Sequence, residues 1–216
     1  MLEFLPYLLR GAEVTIEITL AASIVSIIVA TIAGIARLSR NRLVRWIATG
    51  YVELFRGTSL LVQLFWLFFV LPNFGIKLNA FVVAVLTLGL NNGAYGSEVV
   101  RGSIVAIPRS QIEAAIALNM PPALRMRKII LPQALITMLL PWGNLLIILL
   151  KGTALVSLIT IQELTFQAYN LNVVTFKTLQ LYGLSLVLYF IMAQGIALVV
   201  RALSRRVNHG ITRGGF

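Results

Sequence analysis

The sequence predicts an all-α, polytopic integral membrane protein with five transmembrane helices in a single domain, residues 1–216. Only 12% of the residues are charged and 59% are hydrophobic, whereas a soluble domain carries about twice that charged fraction. The apolar residues form blocks close to the length of about 20 residues that a helix needs to cross a bilayer. The basic residues are concentrated in alternate loops, as a polytopic membrane protein requires.

The five predicted spans are separated by polar or turn-forming segments. They are Val14–Ala36, Trp46–Leu71, Leu78–Val100, Gln133–Leu150 and Leu179–Leu203. The second span contains Glu53, Arg56 and Gly57, and the apolar part after Gly57 is too short to cross alone. We therefore expect this span to bend at Gly57, and we expect the fourth span to be broken near Pro141.

Two other segments are predicted to lie outside the spans. Residues 1–13 are short and mixed, which favours a position along the lipid headgroups, and they lack the basic start of a cleaved signal peptide. Glu17 then falls in the first turn of its span, near the interface. Residues 161–169 form a short amphipathic segment within the connection between the last two spans.

Positive charge gives the orientation, because cytoplasmic loops are enriched in Lys and Arg. One group of loops holds 4 of the 18 basic residues: Arg10, Lys77, Lys151 and Lys177. The other holds 14: Arg37, Arg40, Arg42, Arg45, Arg56, Arg101, Arg109, Arg125, Arg127, Lys128, Arg201, Arg205, Arg206 and Arg213. We therefore expect an external N-terminus, and a cytoplasmic C-terminus and 102–132 loop. Membrane topology and lipid contact then explain the net charge of +11, without a nucleic-acid partner.

The chain lacks the residues that several kinds of chemistry need. There are no cysteines, and the one histidine, His209, has no neighbour that would complete a metal site or a catalytic triad. The Lys151–Thr153 stretch lacks the preceding glycines of a phosphate-binding loop. We expect no cofactor and no ATP hydrolysis by this chain. Because five spans are few for a complete transporter, the sequence favours a non-catalytic subunit that dimerises and takes its energy from another protein.

The stretch Gln111–Pro132 is the longest that is not simply apolar, and it is predicted to contain a short helix with fixed ends. Ser110 and Glu113 have the spacing of a capping box at its start. Asn119 is expected to end it in the left-handed conformation, and the two prolines that follow prevent its continuation. Such a helix, exposed on one side of a membrane, is predicted to be a docking surface for another protein.

Polar residues inside the spans are the second functional signal, since charges in a bilayer usually face protein or water. Glu98 and Arg101, and also Glu53 and Arg56, are spaced to pair on one helix. These pairs either line a translocation path or lie at the interface. The deeper residues Asn91, Asn92 and Tyr95 either line the same path or hydrogen-bond between helices.

The external connection between the last two spans offers a further candidate. Gln162 and Glu163 are placed there to hold the ammonium group of a zwitterion, or else they lie on an ordinary solvated loop. The sequence leaves both interpretations open.

Specific motifs then suggest a family. Glu113-Ala114-Ala115 is followed four residues later by Asn119 and then by Ile129-Ile130-Leu131-Pro132, while residues 51–63, 92–101, 151–157 and 162–164 carry further matching stretches. Over nearly its whole length the chain resembles the membrane-spanning permease subunits of bacterial ABC importers of the polar amino acid type. The resemblance implies a type I importer permease (MetI-like) fold in the bacterial inner membrane.

The resemblance also implies partners and roles. The partners are ATP-binding cassette subunits, a second permease chain that is identical or similar, and an extracytoplasmic substrate-binding protein. The short helix would be the coupling helix that docks the ATPase. Its expected docking residues are Glu113, Ala114, Ala115 and Asn119, flanked by Arg125 and Arg127. The expected substrate-path residues are Gln63, Asn92, Tyr95, Glu98 and Glu163.

Two residues depart from the family pattern. Asn119 replaces a glycine, and we expect the same turn because asparagine tolerates the left-handed region. Ser59 replaces a proline, which predicts a less sharp break in the second span. The expected cargo is a polar amino acid or a related zwitterion such as an ectoine-type compatible solute. A self-contained channel, an ion-coupled transporter and a scaffold without transport are the alternatives.

Overall fold

The computed structural model describes residues 2–212, and its regular elements within them are helices, with no strand. The α-helices are α1 (Leu5–Ala36), α2 (Arg42–Gly57), α3 (Leu60–Phe65), α4 (Ala80–Val105), α5 (Arg109–Ala117), α6 (Pro122–Arg125), α7 (Leu131–Gly152), α8 (Leu164–Thr175) and α9 (Thr178–Thr212). The all-α prediction is confirmed. Arg213, counted above among the cytoplasmic charges, and the side chain of His209 lie outside the described part.

Helix α1 begins earlier than predicted. It runs for 32 residues from Leu5, about 48 Å, with a proline in its first turn, where proline is favoured. The predicted surface segment 1–13 is therefore wrong. Leu8 is fully buried against Leu164 and Ala168 of α8, and this packing explains why the helix extends so far. Glu17 consequently lies in the fourth turn, not the first, with its side chain exposed.

The second predicted span is divided into two helices, as expected at Gly57. Helix α2 is capped by the Asn41 side chain, which accepts from the backbone N–H of Leu43 at 2.9 Å. It ends at Gly57, and the continuation through α3 turns by 104°. The expectation that Ser59 would soften this break is wrong, because Thr58 and Ser59 are both extended. The Gln63 amide donates to the Phe55 carbonyl at 2.9 Å, which ties the two sides of the break together.

Helix α4 lies at the centre of the bundle, against α1, α2 and α7. Glycines allow this close approach: a Cβ added at Gly89 would lie 2.7 Å from the Cβ of Val25. The Asn92 amide donates to the Ser26 hydroxyl of α1 at 3.0 Å, and both side chains are buried. The Asn92 side chain of α4 therefore faces α1.

Length and composition indicate which helices within residues 2–212 could cross a membrane. Three segments are long and apolar enough to cross alone: Leu5–Ala36, Pro122–Ile159 and Thr178–Arg206. The bent pair Arg42–Gly57 and Leu60–Phe74 would make a fourth. The remaining predicted span, α4, has 26 residues and is long enough. Its polar centre lowers its hydropathy, and that centre packs within the bundle.

Helix α7 is continuous through Pro141, so the predicted break in the fourth span is wrong. Proline is tolerated in membrane helices where neighbouring groups satisfy the freed carbonyl. A 3-10 segment, Thr153–Ile159, links α7 to the connection before α8. The amphipathic segment predicted at 161–169 is helical only from Leu164 onward and extends to Thr175.

Candidate functional site: the short helix α5 and a charged groove

The N-terminus of α5 differs from the predicted capping box. The helix begins at Arg109, and Pro108 occupies the N-cap position without a side-chain hydrogen bond. Ser110 is therefore already within the first turn, where its hydroxyl is not placed to cap. The capping box of Ser110 and Glu113 is wrong, because the extended backbone of Pro108 starts the helix two residues earlier than the pattern suggested.

The C-terminus of α5 has the predicted left-handed turn. Asn119 has φ +54°. Its N–H donates to the Ile116 carbonyl at 2.8 Å, and the N–H of Met120 donates to the Ala115 carbonyl at 3.0 Å. These two bonds form a Schellman motif, which satisfies the last carbonyls of the helix. The expectation that asparagine would turn the chain as glycine does is confirmed.

The outward face of α5 differs from the predicted docking set. Glu113, Ala114 and Asn119 are exposed, but Ala115 is only 1% exposed and packs into the chain itself. Ala115 therefore packs α5 against the rest of the chain, and its side chain is not exposed to a partner. Ile116 and Leu118 are 55% and 75% exposed. Neither residue was predicted to dock a partner, although apolar residues within this otherwise polar loop were the available signal.

Two contacts fasten α5 to the bundle. The Gln133 amide of α7 donates to the Gln111 side-chain oxygen at 2.6 Å. Ile112 packs against a buried cluster that includes Ile104, Ile107 and Ile130. Displacement of α5 would therefore be transmitted to α4 and α7. The flanking residues predicted beside the dock differ in exposure, since Arg125 is half-buried and Arg127 is exposed.

The most highly charged site within the bundle is centred on Glu98. Its Oε1 accepts from Arg37 Nη1 at 2.7 Å and from Arg56 Nη1 at 3.0 Å, and its Oε2 accepts from Arg101 Nε at 3.0 Å. The predicted Glu98–Arg101 pair is confirmed. The predicted Glu53–Arg56 pair is wrong, because Arg56 crosses to Glu98. One carboxylate thus holds together the C-terminal ends of α1 and α2 and the last third of α4.

A groove of about 340 Å³ opens beside this cluster, lined by Val52, Glu53, Arg56, Gly57, Tyr95 and Glu98. The Arg56 guanidinium carbon lies 5.3 Å from the centre of the Tyr95 ring, a cation–π contact. Glu53 makes no hydrogen bond or ion pair within the described residues. Tyr95 and Glu98, both predicted path residues, are therefore brought together with Arg56 and Glu53.

The other predicted path residues lie elsewhere. Asn92 is bound to Ser26, and Gln63 bridges the α2–α3 break, where its side-chain oxygen also accepts from the Asn91 amide at 3.0 Å. Glu163 is fully buried, so the solvated-loop interpretation is wrong. Its carboxylate caps α8 by accepting from the N–H groups of Thr165 and Phe166, at 2.9 and 2.8 Å.

Glu163 also accepts a hydrogen bond from the Tyr189 hydroxyl of α9 at 2.7 Å. Burial raises the pKa of this carboxyl above its usual value, although the hydrogen bonds from Thr165, Tyr189 and Phe166 act in the opposite direction. Elsewhere in the described residues, no group of three or more His, Asp or Glu side chains is placed to hold a metal ion. The geometry is that of a helical membrane protein with an exposed short helix, α5, and a groove lined by charged side chains.

Comparison with known proteins agrees with this geometry. Residues 23–213 match the family described as the binding-protein-dependent transport system inner membrane component. The chain belongs to this family. It is 44% identical to a probable amino-acid ABC transporter permease of Sinorhizobium fredii, over 98% of this chain and 90% of that protein. It is 36% identical to the L-cystine permease TcyB of Bacillus subtilis, over 97% and 90%.

Solved structures confirm the fold of this inner-membrane family member. The crystal structure of an amino acid ABC transporter with histidines matches 95% of this chain and 96% of that one, at 32% identity and a TM-score of 0.89. An inward-facing structure of the MetNI methionine ABC transporter matches 94% and 97%, at 21% identity and a TM-score of 0.80. The chain therefore has the type I ABC importer permease fold.

Proposed function

We propose that this chain forms the translocation path of an amino acid importer that is driven by ATP hydrolysis in a separate subunit. The observation that carries the proposal is the surface of α5. Glu113, Ala114, Ile116 and Leu118 are exposed on a short helix, the Asn119 turn closes its C-terminal end, and Gln133 and Ile112 fasten it to the bundle. A helix held in this way transmits force to α4 and α7.

The proposed partners follow from the same surface and from the fold. An ATP-binding subunit docks on α5, with its contacts to Glu113, Ala114, Ile116 and Leu118, and with Asn119, Arg125 and Arg127 at the margin. A second permease chain, identical or similar, completes the path, and an extracytoplasmic binding protein delivers the cargo. The proposed orientation puts α5 and the C-terminus in the cytoplasm and the N-terminus outside, and it is supported by the excess of Lys and Arg in the loops on the α5 side.

The proposed cargo is a polar amino acid. Relatives carry the names of L-cystine and glutamine permeases, the latter from Escherichia coli at 32% identity over 94% of both chains. The groove beside Glu98 is lined by both positive and negative side chains, which supports a zwitterionic cargo. Of the predicted path residues, Tyr95 and Glu98 line this groove, while Gln63, Asn92 and Glu163 support the helices that form the path.

Co-purification and uptake test the proposal. The full chain, extracted in mild detergent from cells that express its neighbouring transport proteins, should carry an ATP-binding subunit. Glu113→Ala should lower both retention of that subunit and amino acid uptake about tenfold, the effect of losing one hydrogen bond to a charged group. Glu13→Ala, an exposed acid at the opposite end of the bundle, is the matched control and should leave both unchanged.

Three results would contradict the proposal. Transport that continues without ATP hydrolysis would identify a channel or an ion-coupled transporter. Absence of any ATP-binding subunit together with normal uptake by Glu113→Ala would remove the docking role of α5. Uptake of ectoine but of no amino acid in a labelled panel would replace the proposed cargo with a compatible solute.

A further inference from the structure

The groove beside Glu98 contains two charged groups of opposite sign that lie one helical turn apart on α2. Glu53 and Arg56 are three positions apart in the sequence and therefore lie on the same face. Both line the groove, yet they do not pair with each other. Glu53 has no hydrogen-bond or ionic partner in the part of the chain that the structure describes, and Arg56 uses one nitrogen for Glu98.

The arrangement around Glu98 leaves Arg56 free to exchange its partner. Arg37, whose side chain is 14% exposed, already bonds the same Oε1 at 2.7 Å, and Arg101 bonds Oε2. Glu98 would therefore remain satisfied if Arg56 turned to another carboxylate. The Tyr95 ring lies against the guanidinium of Arg56, and a guanidinium has five donors of which two can bind a carboxylate side by side.

We infer that the groove formed by Glu53, Arg56 and Tyr95 binds the α-ammonium and α-carboxylate groups of an amino acid. In this site Arg56 holds the carboxylate and Glu53 holds the ammonium. The inference rests on the proposed function and adds to it a binding site in the cytoplasmic half of the path. Arg56 bonds Glu98, which also bonds Arg37 at the C-terminal end of α1, so the site lies near the end of the bundle that the basic loops assign to the cytoplasm.

Charge selects a zwitterion over other small ligands. The cluster contains three guanidinium groups and two carboxylates, from Arg37, Arg56, Arg101, Glu53 and Glu98. Of the charged groups that line the groove, Arg56 and Glu53 have opposite signs, so a simple cation or a simple anion can pair with only one of them and is repelled by the other. A zwitterion presents one charge to each side. The groove volume of about 340 Å³ lies at the lower end of small-molecule sites, about 300–1,000 Å³.

Direct binding to the full chain in lipid nanodiscs, without the binding protein, tests the site. The probes are L-glutamine, L-histidine and two histidine analogues: histamine, which lacks the carboxylate, and imidazolepropionate, which lacks the ammonium. We expect at least one amino acid to bind. We expect Glu53→Gln and Arg56→Gln to weaken binding by about 10- to 100-fold, since each removes a hydrogen bond between charged groups. Both histidine analogues should bind no more strongly than the variants bind histidine.

Controls separate binding from folding. Arg45→Gln removes an exposed charge from the same helix, and Glu17→Gln removes an exposed acid from α1; both should bind like the native chain. Arg56→Lys keeps the charge but loses the two-pronged geometry, so its affinity should fall between those of the native chain and Arg56→Gln. All variants should unfold at temperatures near that of the native chain, because Glu98 retains two arginines.

Two outcomes would overturn the site: no binding of either amino acid to the native chain, or equal affinity in Glu53→Gln, Arg56→Gln and the controls. If uptake in cells and co-purification of the ATP-binding subunit are then normal, the proposed function stands without the site. If those two measurements fail as well, both proposals are refuted.

Discussion

The substitution Gly96→Ala should destabilise the bundle, because the helices that pack against Gly96 leave no room for a methyl group. A Cβ at position 96 would lie 2.6 Å from the Cη2 and Cζ3 atoms of Trp142 and 2.9 Å from the Cβ of Ala30. Carbon atoms prefer separations of about 3.5–4.0 Å, so α1, α4 and α7 must move apart. Overpacking of this kind costs about 1–3 kcal/mol, against a gain of about 1 kcal/mol when alanine replaces glycine in a helix.

Gly102→Ala on the same helix is the matched control, because a Cβ there would meet no atom within 4 Å. The helix-propensity gain is common to both variants, so the difference in their stability equals the overpacking cost, about 1–3 kcal/mol. In a domain of this size each kcal/mol shifts the unfolding temperature by about 2–4 °C. Thermal unfolding of the purified chain in detergent should therefore place Gly96→Ala roughly 2–12 °C below Gly102→Ala.

A second substitution, Trp142→Phe, tests whether the clash with Trp142 causes the loss of stability in Gly96→Ala. Trp142→Phe removes the part of the ring that the new methyl group would strike, and it forfeits no hydrogen bond because the buried Nε1 of Trp142 has no partner. Added to Gly96→Ala, it should recover most of the lost stability, a coupling that a double-mutant cycle measures. Equal unfolding temperatures for Gly96→Ala and Gly102→Ala, or no recovery in the double variant, would refute this reasoning.

Two further predictions concern the turn after α5 and the buried carboxyl before α8. Asn119→Gly should keep uptake at the native level, whereas Asn119→Val should reduce it, because a β-branched residue at φ +54° costs about 1–2 kcal/mol; equal uptake by the two variants would contradict the role of the turn. The raised pKa of Glu163 means that the folded chain holds its proton more tightly than the unfolded chain does. Its contribution to stability is complete below the usual value of 4.5 and is lost as pH rises through the raised pKa. Glu163→Gln should remove that part of the pH dependence of the unfolding temperature, and an unchanged profile would show that Glu163 is not its source.

The features that were correctly predicted depend on composition or on local backbone geometry. The length of the apolar blocks and the low fraction of charged residues were sufficient to predict the all-α membrane fold. The bend at Gly57 and the left-handed turn at Asn119 were predictable because few residues allow those conformations. The N-terminal extension of α1 was not predictable in this way, since it depends on Leu8 packing against α8, more than 150 residues later in the chain.

The charged groove shows why local spacing predicted a wrong pair. Glu53 and Arg56 are three positions apart, as are Glu98 and Arg101, so the sequence predicts two equivalent pairs. The folded chain makes them unequal: the Glu98 side chain is only 29% exposed, whereas Glu53 lies open to the groove. A half-buried carboxylate has lost much of its water and gains more from each guanidinium than an exposed one does. Arg56 therefore pairs with Glu98 and not with Glu53. This pairing leaves the Glu53 carboxylate without a partner, within the described residues, beside a guanidinium that still has free donors. A zwitterion could pair with both groups.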